Sequence, residues 1–349
     1  MTPSPAPASS ATPSPVLPPI QYFRITRHRR IAWWGSAVAC LISLIGMALC
    51  WLNPAIGAPL KPGLDFTGGT RIQLERACDP NCPAITVSQV AEQLEDLQLP
   101  EDAGASVPDL RGSPVQVLDQ GSSIELRLPS LSAEQGTAVI EQLAGSLGPF
   151  KPGGTSVDTI GPTLGAQLLR SSLISLLVSF AAIALYITLR YDRVFAFLAI
   201  LALAHDVLIT TGLFAWLGLL LGVEVDSLFA VALITVAGYS VNDTVVVFDR
   251  IREQKTSLEA FPFSDQVDVA VDATLTRSIY TSLTTLLPLL GILFFGGSSL
   301  FWFSVALTAG IGFGSWSSIG VAPTLLPLFS GKGFVSSAPE DGASPTGAA

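Results

Sequence analysis

The residues of this 349-residue chain that could do chemistry lie inside its apolar runs. The stretch Ala230 to Glu253 reads AVALITVAGYSVNDTVVVFDRIRE. It begins as a membrane helix and carries Asn242 and Asp243 within the run. It then resumes with Val245, Val246, Val247 and Phe248 and leaves the membrane as Asp249, Arg250, Arg252 and Glu253. A carboxylate near the centre of a bilayer helix costs about 2.5–3.5 kcal/mol on insertion scales. A cost of that size points to an ion or proton site at Asp243, or to half of a buried pair. The plainer alternative puts Asp243 near enough to the surface to be solvated.

Two other runs carry polar groups that a purely structural span would avoid. His205 and Asp206 lie in the third run, with Asp206 and Thr210 on one face at i, i+4. On the fourth, Gly238 and Asn242, and Tyr239 and Asp243, are i, i+4 pairs. On the fifth, Arg277, Thr281, Thr284 and Pro288 form one polar or kinked stripe. Arg277 begins that run, where a long side chain can also snorkel to the surface. An acid, a guanidinium and hydroxyls converging inside a bundle can relay protons. Moving one charge through about 100 mV is worth about 2.3 kcal/mol, so such a site can couple an ion gradient to movement. His205 fits that relay and fits equally a hydrogen-bonded packing residue. The sixth run is rich in small residues: Gly310, Gly312, Gly314, Ser315, Ser317, Ser318 and Gly320. Gly310 and Gly314 form a GxxxG pair, which reads as helix packing.

The elements that must hold these residues follow from composition. The chain is 49% hydrophobic and 13% charged, with mean hydropathy +0.55. Soluble domains carry about 25% charged residues, so this is a polytopic membrane protein with a soluble part. Residues 57–160 hold 14 acidic and 6 basic residues. That acidity argues against nucleic acid as a partner. Residues 1–19 read as a disordered tail. Arg24, Arg27, Arg29 and Arg30 precede 22 uncharged residues from Ile31 to Leu52, long enough to span. The remaining spans are expected at 171–189, 194–222, 227–248, 278–295 and 300–329. A cytoplasmic segment is expected at 249–276 and a disordered tail at 331–349. The basic clusters at the N-terminus, 190–193 and 250–255 fall on one side, which predicts both termini in the cytoplasm.

Residues 57–160 are then extracytoplasmic. They read as strand 67–75, helix 87–98, strands 114–119 and 122–128, helix 133–146 and strand 155–160. Thr86 with Gln89, and Ser132 with Gln135, are capping boxes. Asp119-Gln120-Gly121 suits the hairpin turn. The βαββαβ order predicts a ferredoxin-like α+β domain between the first two helices. It contains no His and no nucleophile–base pair, so it reads as a binding or mechanical domain. Cys78 and Cys82 share the loop ACDPNCPA, where an extracytoplasmic setting permits a local disulfide. The loop offers no metal-ligand set beyond Asp79, and neither a metal nor a cofactor is expected. GLDFTGGT at 63–70 lacks the GKS/T context of a P-loop and reads as a hinge where the chain leaves the membrane.

Several motifs agree in identity, order and spacing. They are GLDFTGGT at 63–70, IGPTLGAQL at 160–168, LAHDVLIT at 203–210, SVNDTVVVFDRIRE at 240–253, TLTRSIYTSLTT at 274–285 and GFGSWSSIGVAPTLL at 312–326. Over roughly residues 20–330 the chain resembles the SecF side of the SecD/SecF family of protein-translocase subunits, related to the resistance–nodulation–division exporters. The resemblance implies a six-helix bundle with an outside domain, a SecD partner, and work with the SecYEG channel and the SecA motor on translocating preproteins. It implies a non-enzymatic role in which proton flow moves the extracytoplasmic domains. Asp243 matches the family's intramembrane acid and Arg277 the arginine facing it, with Asn242, Asp206, His205 and Thr281 as further relay candidates. Gly63, Asp65, Gly68 and Gly69 match the first motif, and Gly161, Pro162 and Gly165 the second. The implied location is the bacterial cytoplasmic (inner) membrane. The other reading is a half-sized proton-coupled exporter of small molecules or lipids. It needs a large apolar pocket that a small acidic domain does not offer.

Overall fold

The computed structural model describes residues 17–22, 24–78, 85–100, 107–118 and 121–329. Cys82, Asp119, Gln120, the expected C-terminal tail and residues 1–16 of the N-terminal one lie outside them. The chain divides into two compact units. A domain unit comprises residues 45–179 and 211–232, and a bundle unit comprises residues 1–44, 180–210 and 233–349.

The domain unit is built on a four-stranded antiparallel sheet. Its strands are β1 (Gly69–Arg76), β2 (Val115–Leu118), β3 (Ser123–Leu128) and β4 (Phe150–Ile160), in the order β2-β3-β1-β4. Helices α3 (Val87–Glu95) and α4 (Ala133–Leu147) complete the βαββαβ sequence, which is the ferredoxin-like topology. Alternation along the strands sends Ile72, Leu74, Ile124, Leu126 and Leu128 to one face. There they pack with Val90 and Leu94 of α3 and Val139 and Leu143 of α4. Both capping boxes are present, each satisfying backbone donors at its helix start. β4 begins at Phe150 rather than at 155. The strand passes through Gly153 and Gly154, with an irregularity in β1 between Leu74 and Arg76 that keeps Arg76 paired to Phe150. Before β1 the residues Leu64–Thr67 form a single helical turn, α2.

Six helices among the described residues are long and apolar enough to cross a membrane. They are α1 (Arg29–Leu52, entered through a 3-10 turn at Ile25–His28), α5 (Pro162–Arg190), α6 (Arg193–Leu221), α7 (Ser227–Ser257), α8 (Phe263–Phe295) and a composite last span. The last span joins α9 (Ser298–Trp316), a π-helical turn at Ser317–Val321 and α10 (Ala322–Phe329). α6, α7 and the last span are 61%, 56% and 56% buried over their most apolar windows, against 22%, 6% and 17% for α1, α5 and α8. More than half of each of the first three windows is buried, and most of each of the other three is not.

Two helix starts differ from the sequence expectation. α5 begins at Pro162, not near 171, because proline suits the first helical position, where its missing N–H has no partner to lose. α8 begins at Phe263, so Arg277 lies well inside a helix rather than at the head of one. Hydropathy marks the membrane-thick part of a helix, whereas the helix itself runs back to Pro262. The bundle core gathers Ile187, Phe195, Leu198, Phe248 and Ile251, with the Phe195 and Phe248 rings edge to face at 5.1 Å. In the same unit the N-terminal segment is tied to α8. The backbone N–H groups of Gln21 and Tyr22 donate to Asp272, and Thr26 donates through its N–H and hydroxyl to Asp268.

Candidate functional site: two buried carboxylates held by hydroxyls

Asp206 of α6 is fully buried, and Asp243 of α7 is 5% exposed. Each is held by two serine hydroxyls. Ser240, on α7, donates to Asp206 Oδ2 at 2.5 Å, and Ser317 donates to the same atom at 2.7 Å. His205 Nδ1 lies 2.8 Å from Asp206 Oδ1. Ser278 of α8 donates to Asp243 Oδ1 at 2.9 Å, and Ser318 donates to Asp243 Oδ2. Ser317 and Ser318 are consecutive residues of the π turn. Where the regular helical ladder is given up, one serine serves each carboxylate. π turns recur at functional sites for this kind of re-aiming.

The small residues of the last span make room for this. A methyl on Gly310 would collide with Val236 of α7. A methyl on Gly314 would stand 3.2 Å from Ser240 Cβ and 3.5 Å from Asp206 Oδ2. The GxxxG pair thus brings α9 against α7 and leaves space at the Asp206 carboxylate. A chain of hydroxyls extends away from Asp243. Ser282 lies one turn beyond Ser278 and bonds its carbonyl, meets Ser315 Oγ at 2.6 Å, and accepts from the Tyr239 hydroxyl at 3.0 Å.

Of the expected relay residues, Asp243, Asp206 and His205 lie in the bundle interior, and the other three do not. Asn242 is exposed. Thr281 is exposed and donates to the carbonyls of Arg277 and Ser278 on its own helix. Arg277 is exposed and makes no ion pair among the described residues. The expectation that Arg277 faces Asp243 is corrected. The next residue, Ser278, takes that place, because one helical step turns the side chain by about 100°. Ser240, Ser278, Ser317 and Ser318 were not expected to hold the acids. Their signal was the presence of hydroxyls in apolar runs, which reads equally as close packing.

A serine hydroxyl donates to a carboxylate and can accept from a carboxylic acid. Ser240, Ser317, Ser278 and Ser318 thus offer hydroxyls of both capacities to the two carboxyl groups. His205 Nε2 is buried and has no hydrogen-bond partner among the described residues, so the Asp206 seat retains one open polar contact.

The motif glycines meet in the domain unit. Gly68, at φ 73°, lies where a methyl would stand 2.9 Å from Pro162 Cα, and a methyl on Gly165 would stand 2.9 Å from Gly68 N. Gly69, at φ 132°, faces the Leu128 carbonyl at 2.6 Å in the same sense. Gly63 approaches the Val225 carbonyl and donates to it at 2.8 Å. Gly161 has open space around it. At the expected hinge the chain is closely packed around Gly63, Gly68, Gly69 and Gly165, where glycine permits backbones to touch. Asp65 accepts from the Ser227 N–H at 3.0 Å and from its hydroxyl. Cys78 is disulfide-bonded, Cys40 and Cys50 are free thiols, and the expected partner Cys82 lies outside the described residues.

Six membrane-length helices with hydroxyl-held carboxylates in the bundle, and a ferredoxin-like domain between the first two, define a polytopic membrane protein with an inserted α+β domain. Residues 140–332 match the family model for the protein export membrane protein SecD/SecF, C-terminal, and residues 56–79 match the SecD/SecF GG motif. The protein translocase subunit SecF of Prochlorococcus marinus is 51% identical over 88% of this chain and 95% of its own length. That of Synechocystis sp. is 45% identical over 84% and 90%. The crystal structure of SecDF from Thermus thermophilus superposes with a TM-score of 0.72 at 32% identity, covering 92% of this chain. The chain spans 40% of that solved protein. The chain belongs to the SecD/SecF family of protein-export membrane proteins.

Proposed function

We propose that the chain works as a SecF-type subunit of the Sec protein-export machinery, and that Asp243 and Asp206 load and release protons to drive preprotein movement. The observation that carries the reading is the way Asp243 is held. It is buried, and its two oxygens are met by the hydroxyls of Ser278 and Ser318 rather than by a cation. A purely structural buried carboxylate is normally neutralised by a partner charge. His205 and the open Nε2 place a second exchangeable group beside Asp206.

Several finer assignments belong to this reading. The exposed side of α8 carries Arg277, Thr281 and Thr284 on a helix apolar enough to span. A guanidinium facing lipid is costly, so this stripe is where a SecD subunit packs, and Arg277 meets an acid of that partner. A relative from Thermus thermophilus named as protein translocase subunit SecDF, 36% identical over 75% of this chain, fits such an arrangement. The complex serves the SecYEG channel after the SecA-driven step, in the bacterial inner membrane, without catalysing a covalent reaction. The arginines before α1 and those around Arg190 and Arg250 put both termini in the cytoplasm, and Asn242 lies on the outward face of α7.

The test is preprotein translocation into inverted membrane vesicles containing the complex, with and without an imposed proton gradient. Asp243→Asn is expected to assemble and to lose the gradient's stimulation. A variant that responds to the gradient like native protein sinks the reading.

A further inference from the structure

The loop between α6 and α7 joins the domain unit at four points, all within that unit. Glu224 pairs with Lys61 at 3.3 Å and with Arg127 of β3. Gly63 N donates to Val225 O at 2.8 Å, and Val225 N donates to Lys61 O at 2.9 Å, forming a parallel bridge between Pro62 and Val225. Asp65, in the one-turn helix α2, takes both the N–H and the hydroxyl of Ser227. Ser227 is the first residue of α7, the continuous helix that carries Asp243.

The Asp65 contact is redundant for folding the helix start. α7 already has a local cap, since Asp226 Oδ1 accepts from Phe229 N at 3.0 Å. A second carboxylate, 162 residues away in sequence, is brought to the same N-terminus. Asp226 is held above the usual carboxylate range by burial first. The Phe229 N–H opposes this, and the nearby Asp65 charge adds to it. An arrangement serving stability alone would avoid crowding two acids there. On its other side α2 is wedged in place, because Gly68 packs against Pro162 and Gly165 at the start of α5, and Gly69 against β3. One unbroken path therefore runs from the sheet, through Gly69, Gly68 and α2, to Asp65, Ser227 and α7. The Arg127–Glu224–Lys61 cluster ties the same sheet to the same loop in parallel.

We propose that Asp65 and Glu224 are positioning residues that couple displacement of the extracytoplasmic domain to α7, and so to the carboxylate at Asp243. The inference rests on the proton-coupled reading above. Asp65 and Glu224 touch no proton-carrying group. They act by making the domain and the N-terminus of α7 move as one piece. The contact is polar at every point, so it transmits force through charge and hydrogen bonds rather than through a shared apolar core.

The experiment uses the complex in vesicles and compares Asp65→Ala, Asp65→Asn, Glu224→Gln and Asp243→Asn. It reads assembly, gradient-independent translocation, and the increment produced by a proton gradient. Asp65→Ala and Glu224→Gln are expected to assemble and to keep gradient-independent translocation. Both should lose at least about fivefold of the gradient increment, the low end of couplings between sites. Asp65→Asn keeps an acceptor oxygen opposite Ser227 and is expected to retain most of the increment, a rescue that general destabilisation would not give. If Asp65→Ala fails to assemble, Glu224→Gln carries the same expectation. Native-like increments in Asp65→Ala or Glu224→Gln, in vesicles where Asp243→Asn has lost its increment, overturn the coupling and leave the proton reading standing. An intact increment in Asp243→Asn removes the proton reading and this inference with it.

Discussion

Asp243 and Glu224 are both largely buried acids, and they are held in opposite ways. Asp243 is met by two neutral hydroxyls, and Glu224 by an ammonium and a guanidinium. Cations fix a carboxylate in its charged form, whereas hydroxyls accommodate both forms. The fixing is mutual in the domain unit. Burial alone would lower the Arg127 guanidinium, yet Glu224 and Glu125 outweigh it and raise it above its ordinary range. On the proposed reading the hydroxyl-held acid is the group that switches, and the cation-held acid belongs to the tie that carries the result.

Four changes test that contrast. Asp206→Asn is expected to reduce the gradient-dependent increment of translocation by at least about tenfold, since Asp206 is bonded to Ser240 of the helix that carries Asp243 and both acids are bonded to the π turn; a tenfold loss corresponds to about 1.4 kcal/mol of coupling. Vesicle translocation with and without the gradient reads it, and a native increment would assign switching to Asp243 alone. Gly310→Val should destabilise the bundle by about 1–3 kcal/mol or more, because even a methyl there meets Val236. Thermal inactivation of the detergent-solubilised complex measures it, and an unchanged midpoint would contradict the close approach of α9 to α7. Arg127→Gln should cost about 1–2 kcal/mol, between an exposed pair and a buried one, since both side chains are partly shielded. Denaturant unfolding should show that cost without any change at Asp243. Asn242→Ala should change the stability of the chain by less than about 0.5 kcal/mol, because its side chain points outward. A larger loss confined to the SecD-containing complex would locate the partner on that face.

Much of the architecture was legible because it rests on local chemistry. The capping boxes at Thr86 and Ser132 depend on residues three apart, and the βαββαβ order depends on alternation within single segments. The apolar runs announced six spans through their length alone. What was hidden depends on several helices at once. Asp243 could be singled out from one run, but its partners Ser278 and Ser318 come from two others. Arg277, one residue before Ser278, drew the expectation through its spacing and the family resemblance. The π turn at Ser317 has no sequence signature, and it is what separates the two serines between two carboxylates. The motif around Asp65 was visible as a cluster of glycines. That Asp65 reaches the start of α7 follows only from the loop at 223–227 folding back onto it.

The most direct measurement is infrared difference spectroscopy of the membrane-embedded complex across a pH jump, read at the carbonyl stretch of protonated carboxylic acids. The expected result is a native acid band that is lost in Asp243→Asn, altered in Ser318→Ala, and unchanged in Glu224→Gln. A native complex with no pH-responsive acid band, or a band that survives Asp243→Asn and vanishes in Glu224→Gln, would contradict the division between switching and fixed carboxylates.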